Sequence, residues 1–219
     1  MITTACDTMI PRIRYSAMRK RLTVRVVIGF VLTFGLLLPD IVPAQAPVSR
    51  READDYTFAR RLYDQGDYDL AERQLRDFIQ SYRQSPRVPD VRFMLADADF
   101  QRGRYSSALE QFQRFRIEFG ASAHDDDALF RIGQSHFKLA RYGEAADAFS
   151  RLLIAYPESN LRYEAEMFLG EARFELGQLE AAARSYAQAA QGSGNVVPYA
   201  LYSLGWVRQK LEQYDDAVA

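Results

Sequence analysis

The stretch LFRIGQSHFKLARYGEAADAFSRLLIAYP (129–157) predicts the fold of the whole chain, because its pattern recurs along the sequence. Within it, Tyr142 is followed three residues later by Ala145 and seven residues later by Phe149. A constant period of this size is typical of a solenoid, in which each unit packs against its neighbours. The pattern or a close variant starts at intervals of 37, 37, 37 and 35 residues, at Tyr68, Tyr105, Tyr142, Leu179 and Tyr214.

Each unit is predicted to consist of two antiparallel helices joined by a short turn. Residues at spacings of three and four share one face of a helix, which is the second helix of the unit. Gly66, Gly103 and Gly177 lie in the turns, where a left-handed residue often follows a helix end. A small residue marks the point at which each first helix crosses the second: Ala59, Ala96, Gly133, Gly170 and Gly205.

The predicted fold class is therefore all-α, a helix–turn–helix repeat solenoid with a period of about 37 residues. A turn at 212–215 is expected to start a fifth second helix, so that the last repeat is incomplete at residue 219. The predicted helices are 52–65, 68–82, 89–102, 105–119, 124–139, 142–155, 160–176, 179–190 and 197–211.

An export signal is predicted before the repeats. The basic segment 18–25 precedes the uncharged apolar run 26–38, which is too short to span a bilayer comfortably. We expect cleavage after Ala44, with Ala46 as the alternative, so that 1–44 is a signal peptide, 45–51 a linker and 52–219 the repeats. A start at Met18 instead of Met1 is the alternative for the beginning of the signal. An uncleaved N-terminal membrane anchor is the alternative.

Charge and cysteine content exclude several function classes. Residues 1–44 hold six basic and two acidic residues, which leaves 22 basic and 27 acidic residues in 45–219, a net charge of −5. An acidic body argues against nonspecific binding to nucleic acid. The only cysteine, Cys6, precedes the predicted cleavage site, so the mature chain has no thiolate nucleophile, thiolate metal site or lipidated cysteine.

Residues 129–157 closely resemble the tetratricopeptide repeat. The matching positions are Leu129, Ile132, Gly133, Phe137, Tyr142, Ala145, Phe149, Leu152 and Pro157. The resemblance covers about 52–219, and YPES (156–159) is similar to exported bacterial members of the family. These are the coordinator of the Tol–Pal envelope system and, less closely, the lipoprotein of the outer-membrane β-barrel assembly machine.

This resemblance implies a scaffold that binds protein partners in the cell envelope. The expected location is periplasmic or otherwise exported, with no membrane span after removal of the signal. Two alternatives are open: the chain is the repeat portion of a larger envelope-biogenesis or export protein, or it self-associates through its open C-terminal end.

An aromatic row on the first helices is the candidate peptide groove that the resemblance implies. The members of this row occupy one equivalent position in each repeat. Four residues after each of them comes a member of a second, largely polar set. Packing between repeats is the alternative for the aromatic row. If the groove forms, Asp90, Asp127 and Glu164 make it acidic and favour a basic or amphipathic ligand. The candidate residues are Tyr56, Phe93, Asp97, Phe130, Gln134, Met167, Glu171, Tyr202 and Trp206.

Catalytic motifs are not found in the sequence. His124 precedes Asp125, Asp126 and Asp127, where three adjacent acids favour helix-start stabilisation over a metal site, since successive residues lie 100° apart on a helix. His136 is expected to be a partly buried structural residue. Phosphate loops, nucleophile elbows and zinc-protease motifs do not occur. We therefore predict a protein that is not an enzyme and has no cofactor or metal.

Overall fold

The computed structural model describes residues 49–120 and 122–218, with side chains to residue 212. The predicted signal peptide, the cleavage site after Ala44 and most of the linker lie outside these residues. In the described residues the chain forms nine α-helices and no strand. They are α1 (Arg50–Asp64), α2 (Tyr68–Ser81), α3 (Val88–Gln101), α4 (Tyr105–Phe119), α5 (Asp125–Lys138), α6 (Tyr142–Ala155), α7 (Arg162–Glu175), α8 (Leu179–Ala189) and α9 (Val196–Val218).

The helices stack in chain order, which confirms the predicted solenoid. Each helix packs against the next, and each odd-numbered helix also contacts the following odd-numbered helix. Among the described residues no even-numbered helix contacts another even-numbered helix. The odd-numbered helices therefore lie closer to one another and form the inner layer. The side of this layer that faces away from the even-numbered helices is the concave face of the array. No described helix carries an apolar stretch long enough to cross a membrane.

The repeated pattern builds the core at each crossing of a first and a second helix. Ala71, Ala108, Ala145 and Ala182 are fully buried. A Cβ atom placed on Gly133 would lie 2.6 Å from the ring of Phe149, and one on Gly170 would lie 2.6 Å from the ring of Tyr186. Only glycine therefore permits these rings to lie against the first helix. The bulky residues of the pattern are also buried: Leu75, Phe112, Phe149 and Tyr186.

The turns between paired helices contain one residue in left-handed geometry. The predicted glycines have φ angles of 82° at Gly66, 76° at Gly103 and 73° at Gly177. The third repeat uses Ala140 with φ 55°, an alanine that the sequence pattern did not identify. Left-handed geometry costs a residue with a side chain about 1–2 kcal/mol, so the packing of α5 on α6 holds Ala140 there.

The predicted turn at 212–215 is wrong, because α9 continues without interruption to Val218. Glu212 occupies the register at which the other four turns place Gly66, Gly103, Ala140 and Gly177. Glutamate favours a helix interior and is costly in left-handed geometry, so the helix does not break there. The first helix of the fifth unit is consequently longer than predicted, and the described residues contain no second helix after it.

Ion pairs hold the first two units together on their outer side. Glu72 of α2 accepts hydrogen bonds from Arg104 at 2.7 Å and Arg102 at 2.6 Å, and also from Arg76 at 2.9 Å. Arg104 also pairs with Asp99, a buried carboxylate that accepts from Ser107 and Gln111. The contacts of Glu72 with Arg102 and Arg104 join residues 30 and 32 positions apart, so they connect neighbouring repeats.

Acid is expected to weaken this connection. The hydrogen bond from Arg104 lowers the pKa of Glu72 to about 2 from its ordinary value of 4.5. A carboxyl with a lowered folded-state pKa stabilises the protein above its unfolded value, and this contribution is lost as the pH falls through the folded-state value. The urea midpoint should therefore fall between pH 5 and pH 2 by less in Glu72→Gln than in the wild type. Equal falls in both proteins would show that Glu72 is not involved.

Candidate binding groove on the concave face

Two of the predicted aromatic anchors are buried and offer little surface to a ligand in the groove. Phe130 is 5% exposed and packs edge-on against Phe149 and Phe168, with ring centroids 5.7 Å away in both cases. Tyr56 is 9% exposed, packs 6.0 Å from Phe78 and carries the guanidinium of Arg87 over its ring. Both rings pack between repeats, which is the alternative that the sequence left open.

Two further members of the row are half-buried. Phe93 packs against Phe112 at 5.5 Å, and the ring of His124 stacks on it at 5.0 Å with an interplanar angle of 21°. Met167 packs against the cluster that contains Tyr186 and Leu204. These two side chains therefore offer only part of their surface to the groove.

The polar set that follows the aromatic row is divided between structure and surface. Asp97 is fully buried and cannot bind a ligand, a correction to its predicted role. Its carboxylate lies 2.7 Å from Nε of Arg131 and accepts from Nε2 of Gln101 at 3.1 Å. Gln134 is half-buried and accepts from Arg131 at 2.8 Å. Glu171 is half-buried and accepts from Ser203 at 3.4 Å.

Polar contacts connect the first three inner helices in two parallel chains with a spacing of 34 residues. In one, the hydroxyl of Tyr56 donates to Asp90 at 3.3 Å, and Asp90 lies 2.9 Å from Nε2 of His124. In the other, Tyr63 donates to Asp97, which pairs with Arg131. Burial and the bond to Asp97 raise the pKa of Tyr63, so its hydroxyl stays protonated as a donor. Neither chain was apparent from the sequence, because its repeat period is 37 residues, whereas the contacting residues of adjacent inner helices lie 34 residues apart, about one turn out of register.

A small cavity lies where these chains reach the concave face. It has a volume of about 180 Å³. Its lining mixes charge of both signs with ring edges, and among the described residues no group of histidine, cysteine and acidic side chains is placed to hold a metal. The cavity suits a single polar side chain of a ligand. It is lined by Tyr56, Arg60, Tyr63, Asp64, Asp90, Phe93, Met94 and His124.

One edge of the concave face is acidic, as the sequence predicted. Asp90 and Asp127 each have 44% of their side chain exposed, and Glu164 is exposed. Burial and the neighbouring charge of Asp126 raise the pKa of Asp127. Keeping the carboxylate of Asp127 ionised therefore costs free energy, and a cation placed beside it would offset this cost. His124 provides partial compensation, since its Nδ1 lies 3.6 Å from Asp127.

The aromatic surface of the groove is concentrated on α9. Tyr202 is 75% exposed, Tyr199 is 66% exposed and Trp206 is 49% exposed. Their spacing of three and four residues places them on one side of the helix. We call these three residues the aromatic strip. Lys210 lies 5.6 Å from the ring of Trp206 and 5.0 Å from that of Phe174.

Tyr199 is the member of the strip that the sequence analysis did not identify. It occupies the position of Asp90, Asp127 and Glu164 in the earlier repeats. Trp206 likewise occupies the position of Asp97, Gln134 and Glu171, which in the first repeat is the charged Arg60. Two positions that are polar elsewhere are thus aromatic on α9, and this change of type along a repeat position was a signal available in the sequence.

The acidic start of α5 has the structural role that the sequence predicted. Asp125, Asp126 and Asp127 lie in the first turn, where negative charge is favourable. Burial would raise the pKa of Asp125, but hydrogen bonds from Arg116 and Tyr156 outweigh it and lower the pKa. Asp125 thereby joins α4, α5 and the end of α6.

His136 is half-buried, as expected, and lies away from the concave face. Burial lowers its pKa, so the ring is neutral at physiological pH. It contributes to a cavity of about 620 Å³ between the outer helices α4 and α6, beside Ile117, Glu144 and Arg151. This lining places no nucleophile next to a base, so we assign it no chemistry.

The chain belongs to the tetratricopeptide repeat family, whose profile matches residues 56–123, 93–160 and 130–198 in overlapping pairs of repeats. None of the curated proteins compared with the sequence matches it. Proteins of this family generally bind protein partners, and the repeat fold is typically not that of an enzyme.

Solved structures show the same fold at low sequence identity. MamA 41-end from Desulfovibrio magneticus RS-1 has a TM-score of 0.63 and 19% identity, covering 78% of this chain and 91% of that chain. Kinesin light chain TPR-like repeats from Podosopora anserina have a TM-score of 0.58 and 15% identity, covering 76% and 90%. The Sgt2 TPR domain from Aspergillus fumigatus has a TM-score of 0.51 and 16% identity, covering 62% and 85%. These similarities support the fold and carry no function.

Proposed function

We propose that this chain is a scaffold that binds a segment of a partner protein along its concave face. The observation that carries the proposal is the aromatic strip, three large rings exposed side by side on an inner helix. Exposed aromatic rings of this kind are frequent binding hot spots, because they offer large apolar area at little cost in side-chain entropy. In the earlier repeats the residues equivalent to Tyr202 are buried or half-buried and those equivalent to Trp206 are polar, so the strip is the main apolar anchor of the groove.

The chemistry of the face favours a basic, amphipathic segment. Its apolar side chains would lie on the aromatic strip, and its Lys or Arg side chains would lie along Asp90, Asp127 and Glu164. Cations also interact favourably with the faces of Tyr and Trp rings, as Lys210 does with Trp206. The acidic edge and the aromatic strip therefore both favour the same class of ligand, a basic amphipathic segment.

We further propose that the protein acts in the bacterial cell envelope. The basic segment 18–25, the apolar run 26–38 and Ala44 support export, and the YPES sequence supports kinship with the envelope members of the family. Envelope proteins would then be the partners. In the alternative, a working domain of a larger export or envelope-biogenesis protein accompanies these repeats.

Export can be tested by the intact mass of the protein purified from its native envelope. We expect a mass equal to residues 45–219, as cleavage after Ala44 requires. A mass that retains residues 18–44 would support the uncleaved anchor, and a mass larger than the 219-residue chain would support the alternative of a longer protein.

Partner binding can be tested by photocrosslinking in the producing cell. A benzoylphenylalanine at Tyr199 in the aromatic strip should crosslink to a discrete partner segment, identified by mass spectrometry. The control is the same residue at Ile154, which is 81% exposed on the outer helix α6. Trp206→Ala should reduce the crosslink at least tenfold, as for loss of a binding hot spot, without lowering the melting temperature. Equal crosslinking from both positions would contradict the proposal.

A further inference from the structure

The cleft between the outer helices α4 and α6 is larger than its equivalent one repeat earlier. Its volume is about 620 Å³, compared with about 280 Å³ for the cleft between α2 and α4. An apolar cavity of about 150 Å³ holds one benzene ring, so the larger cleft has room for several apolar side chains. We call it the outer cleft. Its apolar lining is formed by Ile117 of α4, Leu129 and Ile132 of α5, and Ala148 of α6.

Two positions of the outer cleft are joined by a hydrogen bond in the neighbouring repeats. In the second repeat the buried carboxylate of Asp99 accepts from Nε2 of Gln111. In the fourth repeat the guanidinium of Arg173 donates at 2.7 Å to the hydroxyl of Ser185, which is also buried. Each contact ties a first helix to its second helix and fills the space between them with polar side chains.

The third repeat lacks this contact and has apolar groups in its place. His136 and Ala148 occupy the two positions. Alanine has no hydrogen-bonding side chain, and Nδ1 of His136 is buried with no hydrogen-bond partner among the described residues. Leu129 lines the cleft where the second and fourth repeats have Arg92 and Glu166. The outer cleft is therefore more apolar than the equivalent place in either of these repeats.

Charged side chains of α6 border the outer cleft in a fixed order. Glu144 and Asp147 lie near the start of the helix, and Arg151 follows one turn later. All three are exposed, and none of the ion pairs among the described residues includes them. Arg116 on the α4 side differs, because two of its nitrogens bind the carboxylate of Asp125. The charges left for a ligand are therefore two negative ones followed by a positive one.

We propose that the outer cleft binds an amphipathic helix of a partner protein. In the described residues α4 and α6 do not contact each other, so a partner helix can lie along the gap between them. Its apolar side chains would contact Leu129, Ile132 and Ile117, and the last of these is 85% exposed without a ligand. Burial of this apolar surface is favourable. In this mode of recognition the anchoring residues recur at i, i+3 or i+4, and i+7 of the bound helix.

The order of charges on α6 determines the composition and the direction of the bound helix. Its basic side chains lie against Glu144 and Asp147, and an acidic side chain lies against Arg151. A helix is itself stabilised by acidic residues near its N-terminus and basic residues near its C-terminus. Both conditions are met by a helix that runs antiparallel to α6, with acidic residues in its first turns and basic residues in its last.

This inference goes beyond the proposed function, because the outer cleft and the concave groove lie on opposite sides of the inner helices. The groove favours a basic segment, whereas the outer cleft favours a helix with opposite charges at its two ends. The two sites have no residue in common. Loss of partner binding in the groove therefore leaves binding in the outer cleft intact.

Photocrosslinking in the producing cell tests the proposal with the full chain. Benzoylphenylalanine at Ile117 should crosslink to a segment of another protein, whose sequence is determined by mass spectrometry. We expect apolar residues at helical spacing, acidic residues towards the N-terminus of the segment and basic residues towards its C-terminus. The control is benzoylphenylalanine at Ile154, the equivalent position of the next repeat, which is 81% exposed and should not crosslink to this segment. A crosslink to a second copy of this chain, a segment without this pattern or no discrete crosslink would overturn the proposal.

Charge reversal tests the assigned direction with a synthetic peptide that copies the crosslinked segment. Glu144→Lys combined with Asp147→Lys should weaken binding of the peptide to the purified full chain by at least about tenfold. A peptide whose basic residues are exchanged for glutamate should bind this variant more tightly than it binds the wild type. Glu180→Lys in the first turn of α8 controls for the loss of an acidic residue at a helix start, and it should bind the original peptide as the wild type does. If the exchanged peptide does not recover binding to the double variant, the proposed docking is wrong.

Discussion

Replacing Gly133 by leucine should lower the free energy of unfolding by about 3 kcal/mol or more, the upper range for overpacking a core. A Cβ atom at this position lies 2.6 Å from the ring of Phe149, which is fully buried. That ring cannot move aside, because Phe130 packs edge-on against it and Phe168 stacks on it at 5.6 Å. The measurement is urea unfolding followed by circular dichroism.

The matched control is Gly205→Leu, the same change in the same repeat register. With no described atom within 4 Å, it should not lower the stability of the protomer. Combining Gly133→Leu with Phe149→Ala tests the cause, because the smaller residue makes room for the leucine. The double variant should then be less destabilised than the sum of the two single variants, by roughly 1–3 kcal/mol of coupling. Additive losses would show that the clash at the crossing is not the cause.

Local chemistry explains why the repeat architecture was predictable from the sequence. Each crossing requires a small residue facing a large one, and each turn favours a glycine, so the same residue types recur at one interval. Eight helices begin and end within two residues of the predicted bounds. The ninth differs because Glu212 takes the register of the left-handed glycines, so a position that the pattern assigned to a turn continues as helix.

The candidate site was predictable only in part, because exposure depends on what packs next to a helix. Tyr56 and Tyr202 occupy equivalent positions, yet Tyr56 is 9% exposed and Tyr202 is 75% exposed. Phe78 and Arg87 of the following elements cover Tyr56, whereas the described residues place no helix over Tyr202. Periodicity identifies the position and the residue type, but the neighbour decides whether the ring is core or surface.

Asp97 shows the same limit for polar residues. In the sequence it is an acidic residue in a row of polar ones, and the groove was its natural assignment. In the structure it is the buried centre of the contacts from Tyr63, Gln101 and Arg131. Asp97 is buried by partners in the adjacent repeats, Tyr63 and Arg131, which each lie 34 residues away in the sequence. This distance is three residues shorter than the repeat period, so a comparison of equivalent repeat positions does not reveal the contacts.

Replacing Arg131 by methionine should lower the free energy of unfolding by about 3 kcal/mol, because it leaves the carboxylate of Asp97 buried without a cation. Arg131 lies 2.7 Å from that carboxylate, and its guanidinium lies 4.8 Å from the centre of the Phe100 ring. Methionine keeps the apolar contact with the ring and removes the charge. Thermal and urea unfolding would measure the loss, and Arg92→Met, an exposed residue on α3, provides the control.

A second substitution separates the loss of a pair from the isolation of a charge. Asp97→Asn keeps an acceptor for Tyr63 and Gln101 but removes the negative charge that Arg131 neutralises. If the cost of Arg131→Met comes from the unpaired carboxylate, the double variant should be more stable than Arg131→Met alone, because a buried amide costs less than a buried charge. A double variant less stable than either single variant would instead mean that packing of Arg131 on Phe100 carries the effect. The first outcome would identify Asp97 as the residue that makes Arg131 necessary for joining the first three repeats.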